Sequence, residues 1–189
     1  MNIRPATTED LPEIIRLVQK SFADEVFTDH DEHNLVKRLW TSPSALPQFT
    51  LVAESDHKLD LPTENSRDPQ LNFQQNKQLA GFIQFSRLTV GNLNACALAP
   101  LAVLPAWQHH GIGSQLIEAA HAKIAQTNFD CSIVLGHANY YPKFGYQPAD
   151  ALQIFPPFEV PAEAFMVKVF RPFTLNEKTI VGYDPAFGI

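Results

Sequence analysis

Apolar and polar positions change their period several times along the chain, and each change marks an element. Residues 2–5 read as a short first strand. Thr7, Thr8, Glu9 and Asp10 follow, a helix start with acids near the positive end of the dipole. Leu11, Ile14, Ile15, Val18 and Phe22 then form one apolar face, and Pro12 sits in the first turn, where a missing N–H costs least. A second helix is expected over residues 31–40, with Leu35, Leu39 and Trp40 turned inward. Residues 49–54 and 79–90 are rich in apolar and β-branched side chains and read as strands, with Gly91-Asn92 as a turn after the second. Between them, residues 55–77 are polar, carry Pro62 and Pro69, and show neither period; a surface insertion is expected.

The next stretch organises the rest. An apolar run over residues 96–104 leads into the turn Pro105-Ala106-Trp107, then Gln108-His109-His110-Gly111-Ile112-Gly113. Beyond it Ile112, Leu116, Ile117, Ala120 and Ile124 recur with helical spacing. A buried strand therefore feeds a turn that opens a helix. The first amides of a helix lack internal partners and point outward with the positive end of the dipole. Glycines there let an anion approach the backbone, so main-chain N–H groups make a candidate phosphate site. No Lys-Ser/Thr pair follows the glycines, which excludes a Walker loop, and two glycines are too few for the dinucleotide fingerprint. A plain strand–turn–helix, with glycines that only ease the turn, stays open at this point.

Residues 129–135 form another apolar run, ending at Gly136. A strand–helix–strand crossover of this length makes its two strands parallel, and ligands of such units bind where the strand C-termini meet the helix N-terminus. After Pro156-Pro157 and Pro161, residues 164–170 and 179–183 read as further strands, and no internal repeat is found. The expected class is α/β, one domain over residues 1–189, with residues 149–189 completing the sheet.

Composition narrows the classes. At 189 residues, 45% hydrophobic and 18% charged, the chain is globular and has room for a substantial core. A net charge of −6 argues against broad nucleic-acid or anionic-membrane binding. No apolar run reaches membrane-spanning length, and residues 1–7 carry no apolar signal core. Cys96 and Cys131 sit in strand-like runs and read as buried free thiols, so a cytoplasmic location is expected. The segment containing Asp24, Glu25, Asp29, His30, Asp31, Glu32 and His33 fits either a cationic substrate or a solvated loop. Its spacing matches no metal site, and none is expected.

Two motifs together carry a family resemblance. Gln108-x-x-Gly111-x-Gly113 resembles the pyrophosphate signature of the GNAT superfamily of acyl-CoA-dependent N-acetyltransferases. Tyr141, four residues before Gly145-Tyr146, resembles the tyrosine these enzymes carry after their fifth strand. The opening Arg4-Pro5-Ala6-Thr7 is similar to their usual start, and Tyr183-Asp184-Pro185-Ala186-Phe187 to the end of one small bacterial branch. The resemblance implies a mixed, mainly antiparallel sheet flanked by helices, with two parallel strands that splay apart. It implies acetyl-CoA as co-substrate and an amine acceptor, small molecule or peptide. Main-chain groups of Leu101, Ala102 and Val103 would pair with the pantetheine arm, and Gln108, His109, His110, Gly111, Ile112, Gly113 and Ser114 would hold the pyrophosphate. His109 and His110 stand where Arg or Lys is frequent, which puts the strength of phosphate binding in doubt. Tyr141 would protonate the leaving thiolate. The strand over residues 96–104 has no carboxylate to act as base, leaving Glu25, Glu32 or His30 as candidates. A module that binds acyl-CoA without transferring it, and an enzyme for longer acyl chains, remain alternatives.

Overall fold

The computed structural model describes residues 1–25, 28, 30–55 and 78–189. The insertion expected over residues 55–77 lies outside the described residues, apart from Ser55. So does Asp29 of the acidic segment.

The chain opens with β1 (Asn2–Pro5), α1 (Leu11–Ser21) and α2 (Glu32–Trp40). Arg4 in β1 grips Asp10 with both guanidinium nitrogens, at 2.7 and 2.8 Å, and reaches Glu54 at 3.2 Å. Asp10 also accepts from the Thr7 backbone N–H at 2.7 Å, so one carboxylate ties the first strand to the start of the first helix. Ile14, Leu17 and Val18 are the buried face of α1. In α2 the buried pair is Val36 and Leu39; Leu35 and Trp40, expected inward, are only half-buried. The inward face is set by where α1 and the sheet lie, which the helical period alone does not say.

Next come β2 (Leu51–Ser55), β3 (Gln78–Val90) and β4 (Leu93–Val103), followed by α3 (Ile112–Ile124) and β5 (Cys131–Leu135). The tail adds β6 (Gln147–Pro148), β7 (Ile154–Phe155), β8 (Phe165–Val169) and β9 (Thr179–Ile180). One sheet has the order β1-β2-β3-β4-β5-β8-β6, antiparallel at every junction except β4–β5, and β7 pairs with β9 in a small parallel ribbon. The crossover through α3 thus joins the parallel pair.

Side-chain alternation sends each strand's residues to two faces. Ile83, Phe85, Cys96 and Leu98 pack with Leu116, Ile117 and Ile124 of α3 on one face. The other face is shared. Phe82 and Ala102 pack under α1 and α2, whereas Leu88, Ala95, Ala97 and Ile133 pack under the tail. A bulge interrupts β3–β4 pairing: Ile83 faces Leu101 and Phe85 faces Leu98, so Gln84 stands opposite Ala99 and Pro100 together. The extra residue reverses the parity of β4. Before it Cys96 and Leu98 face α3; after it Leu101 and Val103 do. Cys96 and Cys131 are free thiols inside the core. Among the described residues, no helix is long and apolar enough to cross a membrane.

Candidate acyl-CoA site

β4 and β5 are paired only from Ala95–Cys131 to Ala97–Ile133. β4 then runs on to Val103 against β3 alone, while β5 continues against β8. Two neighbouring strands therefore part, and the consequence shows in exposure. Ala99, Leu101 and Val103 of a central strand are half-exposed, and Leu135 at the end of β5 is 47% exposed. Strand main chain alternates its hydrogen-bonding direction. Leu104 N–H donates to Ala80 O, which turns the main-chain groups of Ala102 towards β3 and those of Leu101 and Val103 towards the gap. Val103 O already accepts from Gln108 Nε2 at 3.3 Å. An extended ligand arm laid in the gap finds the edge of a β-strand to pair with.

The turn at the end of the gap is shaped by two left-handed residues, His109 at φ 63° and Gly111 at φ 77°. Gly111 is the N-cap of α3, and the first helical bond runs from Gln115 N–H to Gly111 O. The amides of Ile112, Gly113 and Ser114 belong to the first turn, where a helix has no internal acceptor for them. His110 Nδ1 lies 2.7 Å from Gln108 O, which fixes the ring against its own turn, and both histidines are exposed. The structure thus brings Leu101, Val103 and the residues from Gln108 to Ser114 to one edge.

Gly136, Tyr140 and Tyr141 close the other wall. A short 3₁₀ turn spans Tyr141–Phe144 and ends in left-handed Gly145. Tyr141 is 8% exposed, and its ring lies so close over Gly136 that a Cβ there would overlap it. Behind Tyr141 is the ring of Tyr146, 5.6 Å away between centroids. Tyr146 Oη is 3.0 Å from Ser132 Oγ and 3.2 Å from His121 Nε2, a buried polar chain that holds this wall in place. Burial raises the Tyr141 hydroxyl above its ordinary value, so it stays protonated. Burial likewise depresses His121 to about 3 and keeps that ring neutral.

The hydroxyl that reaches α3 is that of the neighbour, Tyr140. A Cβ added to Gly113 would stand 2.7 Å from Tyr140 Oη, so that hydroxyl lies directly against the first turn of the helix. Sequence spacing singled out Tyr141 and left this contact unseen, because it depends on how the 3₁₀ turn is set against the helix. The candidate bases lie in or at the end of the connection between α1 and α2. Glu32 accepts from Thr28 Oγ1, His30 Nδ1 is 2.9 Å from Phe22 O, and Glu25 is exposed; these contacts stay within the α1–α2 connection. A separate cavity of about 340 Å³, lined by Arg87, Asn94, Tyr183 and Asp184 among others, lies at the β3–β4 hairpin end and does not include the gap residues.

A parted parallel pair beside a glycine-bearing helix start defines a class, and comparison with known proteins agrees. The chain belongs to the GNAT acetyltransferases: a model of the acetyltransferase (GNAT) domain matches residues 71–148. The chain is 30% identical over 157 residues to YjhQ of Escherichia coli (strain K12), an uncharacterized N-acetyltransferase, covering 80% of this chain and 76% of that one. Its fold is similar to E. coli YhbS, a GNAT family N-acetyltransferase solved with CoA (TM-score 0.79, 23% identity, 100% and 92% of the two chains). A GNAT acetyltransferase from Brucella melitensis solved with acetyl-CoA is also similar (TM-score 0.71, 23% identity, 98% and 97%). Acyl transfer is therefore the chemistry of its class.

Proposed function

We propose that this protein is an N-acetyltransferase that moves the acetyl group of acetyl-CoA to an amine. The observation that carries the reading is the gap itself: β4–β5 pairing stops at Ala97–Ile133 while β4 continues with half-exposed Leu101 and Val103 up to the start of α3. Main-chain groups of Leu101 and Val103 would pair with the pantetheine arm, while Ala102, expected to share in this, is turned to β3 and buried under α1 and α2; the main chain from Gln108 to Ser114 would hold the pyrophosphate. The amine nitrogen attacks the thioester carbonyl carbon as a neutral base. The C–N bond forms, the C–S bond breaks, and the amine's proton passes to solvent water, which restores the proton that Tyr141 gives up. The departing thiolate takes a proton from the Tyr141 hydroxyl, which burial keeps protonated. The two free buried thiols fit a reducing compartment, and the cytoplasm is the location we propose.

The test is calorimetry with CoA and acetyl-CoA, followed by a screen of small amines and peptides for release of free CoA. Binding with amine-dependent release is expected. Binding without release across the panel would make the protein an acyl-CoA-sensing module, and no binding would end the acyl-CoA reading. Tyr141→Phe should lower turnover by about 10²–10⁴-fold with near-normal acetyl-CoA affinity. Equal turnover in the variant and the parent would remove Tyr141 as the proton donor.

A further inference from the structure

Two polar side chains of β3 are buried with an atom that has no hydrogen-bond partner: Gln84 Oε1 and Ser86 Oγ. Gln84 is 2% exposed and Ser86 0%. An unpaired buried acceptor costs on the order of 1–3 kcal/mol, and native proteins keep few of them without a use. These two are neighbours on one face, since residues i and i+2 of a strand point the same way. They share that face with Phe82 under α1 and Leu88 under the tail, and stand between those two apolar clusters. Across the ladder, Ser86 meets Ala97, the last β4 residue paired to β5, and Gln84 meets the bulge at Ala99 and Pro100. Ala99, across the ladder from Gln84, is the first β4 residue of this face beyond the β5 pairing to be partly exposed. The orphaned pair therefore sits where the two strands begin to part, on the face that α3 leaves to other elements.

We propose that Gln84 and Ser86 bind the acceptor, and that the acceptor is a primary amine held there as its free base. This rests on the acyl-transfer reading above. A primary amine has two N–H donors and one lone pair. Gln84 Oε1 accepts one N–H, Ser86 Oγ accepts the other, and the lone pair stays free for the thioester carbon in the gap. Both groups are uncharged and the flanking clusters are apolar, so the site favours the neutral amine over the ammonium. The cost of two unpaired atoms in the empty protein is repaid when the amine binds.

The experiment compares Gln84→Met and Ser86→Ala with the parent. Each removes an unpaired polar atom, so melting temperatures should hold or rise, by up to about 2–4 °C for Gln84→Met. Acetyl-CoA affinity by calorimetry should stay within about twofold. KM for the best amine of the panel should rise about tenfold in each variant, with a smaller change in kcat. An unchanged amine KM would overturn the proposal, and so would a melting temperature several degrees lower, which would mean the atom has a partner inside the fold. Failure of the acyl-transfer reading looks different: the parent itself would then release no CoA with any amine.

Discussion

At the residue scale, two groups should set how the protein responds to acid, in separate windows. Asp10, held by both nitrogens of Arg4, has its carboxyl lowered from an ordinary 3.8 to about 2. A depressed carboxylate stabilises the fold above about pH 4 and loses that contribution as pH falls through about 2. His121 is buried neutral with its pKa down at about 3, against an ordinary 6.5. The unfolded chain takes up that proton first, so His121 costs stability progressively as pH falls from about 6.5 towards 3. Urea midpoints measured against pH should therefore decline below neutrality in the parent. His121→Gln should flatten the upper part of that decline, and Asp10→Asn only the part below about pH 4. A parent midpoint that stays level from pH 7 to 4 would contradict the burial of His121. In the same neighbourhood, Tyr140→Phe serves as the companion to Tyr141→Phe. Its hydroxyl lies against Gly113 at the helix start, so its loss should show in CoA affinity more than in turnover.

At the element scale, the start of α3 carries the most chemistry in the fewest residues. Gly111 adopts φ 77°, a region that side-chain-bearing residues enter at a cost of about 1–2 kcal/mol. Nothing but the Gln115 side chain, at 3.9 Å, lies near a Cβ placed there. Gly111→Val should thus leave the protein folded while distorting the turn that presents the first amides. CoA affinity measured by calorimetry should fall by tenfold or more, and unchanged affinity in a folded variant would remove this turn from the phosphate site. The bulge in β4 is the second decisive element. Without it Leu101 and Val103 would point away from α3, and the strand would present the opposite side chains beside the gap.

At the scale of the whole molecule, the tail is part of the architecture. β8 lies between β5 and β6, and Val167, Ile154 and Val181 cover the half of the sheet that α1 and α2 leave open. The last residues return to α2: Ser42 Oγ donates to Asp184 at 2.7 Å, and Arg38 Nε donates to Ala186 O at 2.6 Å. Ending the chain after residue 164 would strip β5 of its β8 partner and expose an apolar face, and loss of soluble folded protein is expected. Ending it after residue 183 removes the two clasps and the Phe187 ring that packs on Tyr183 at the cluster's edge, so circular dichroism should show the fold intact with a melting temperature a few degrees lower. A soluble, cooperatively melting product of the longer truncation would show that the tail is dispensable.

What the sequence determined by itself is the local part of this protein. The longer strands, the three helices, the turn from Gln108 to Gly113 and the spacing of Tyr141 before Gly145 depend on residues close in the chain, and period, capping and glycine placement register them directly, whereas the two-residue strands β6 and β7 left no such pattern. The tertiary structure decided what depends on register and on which elements meet. It put Val36 rather than Leu35 inside, because α2 takes its inward face from α1 and the sheet. It reversed β4 at Ala99 and Pro100, since a bulge exists only relative to the partner strand. It brought the Tyr140 hydroxyl to Gly113 across the separation between two elements. And it left Gln84 and Ser86 buried without partners on a strand whose pattern reads simply as apolar, because whether a polar side chain is satisfied is a property of everything packed around it.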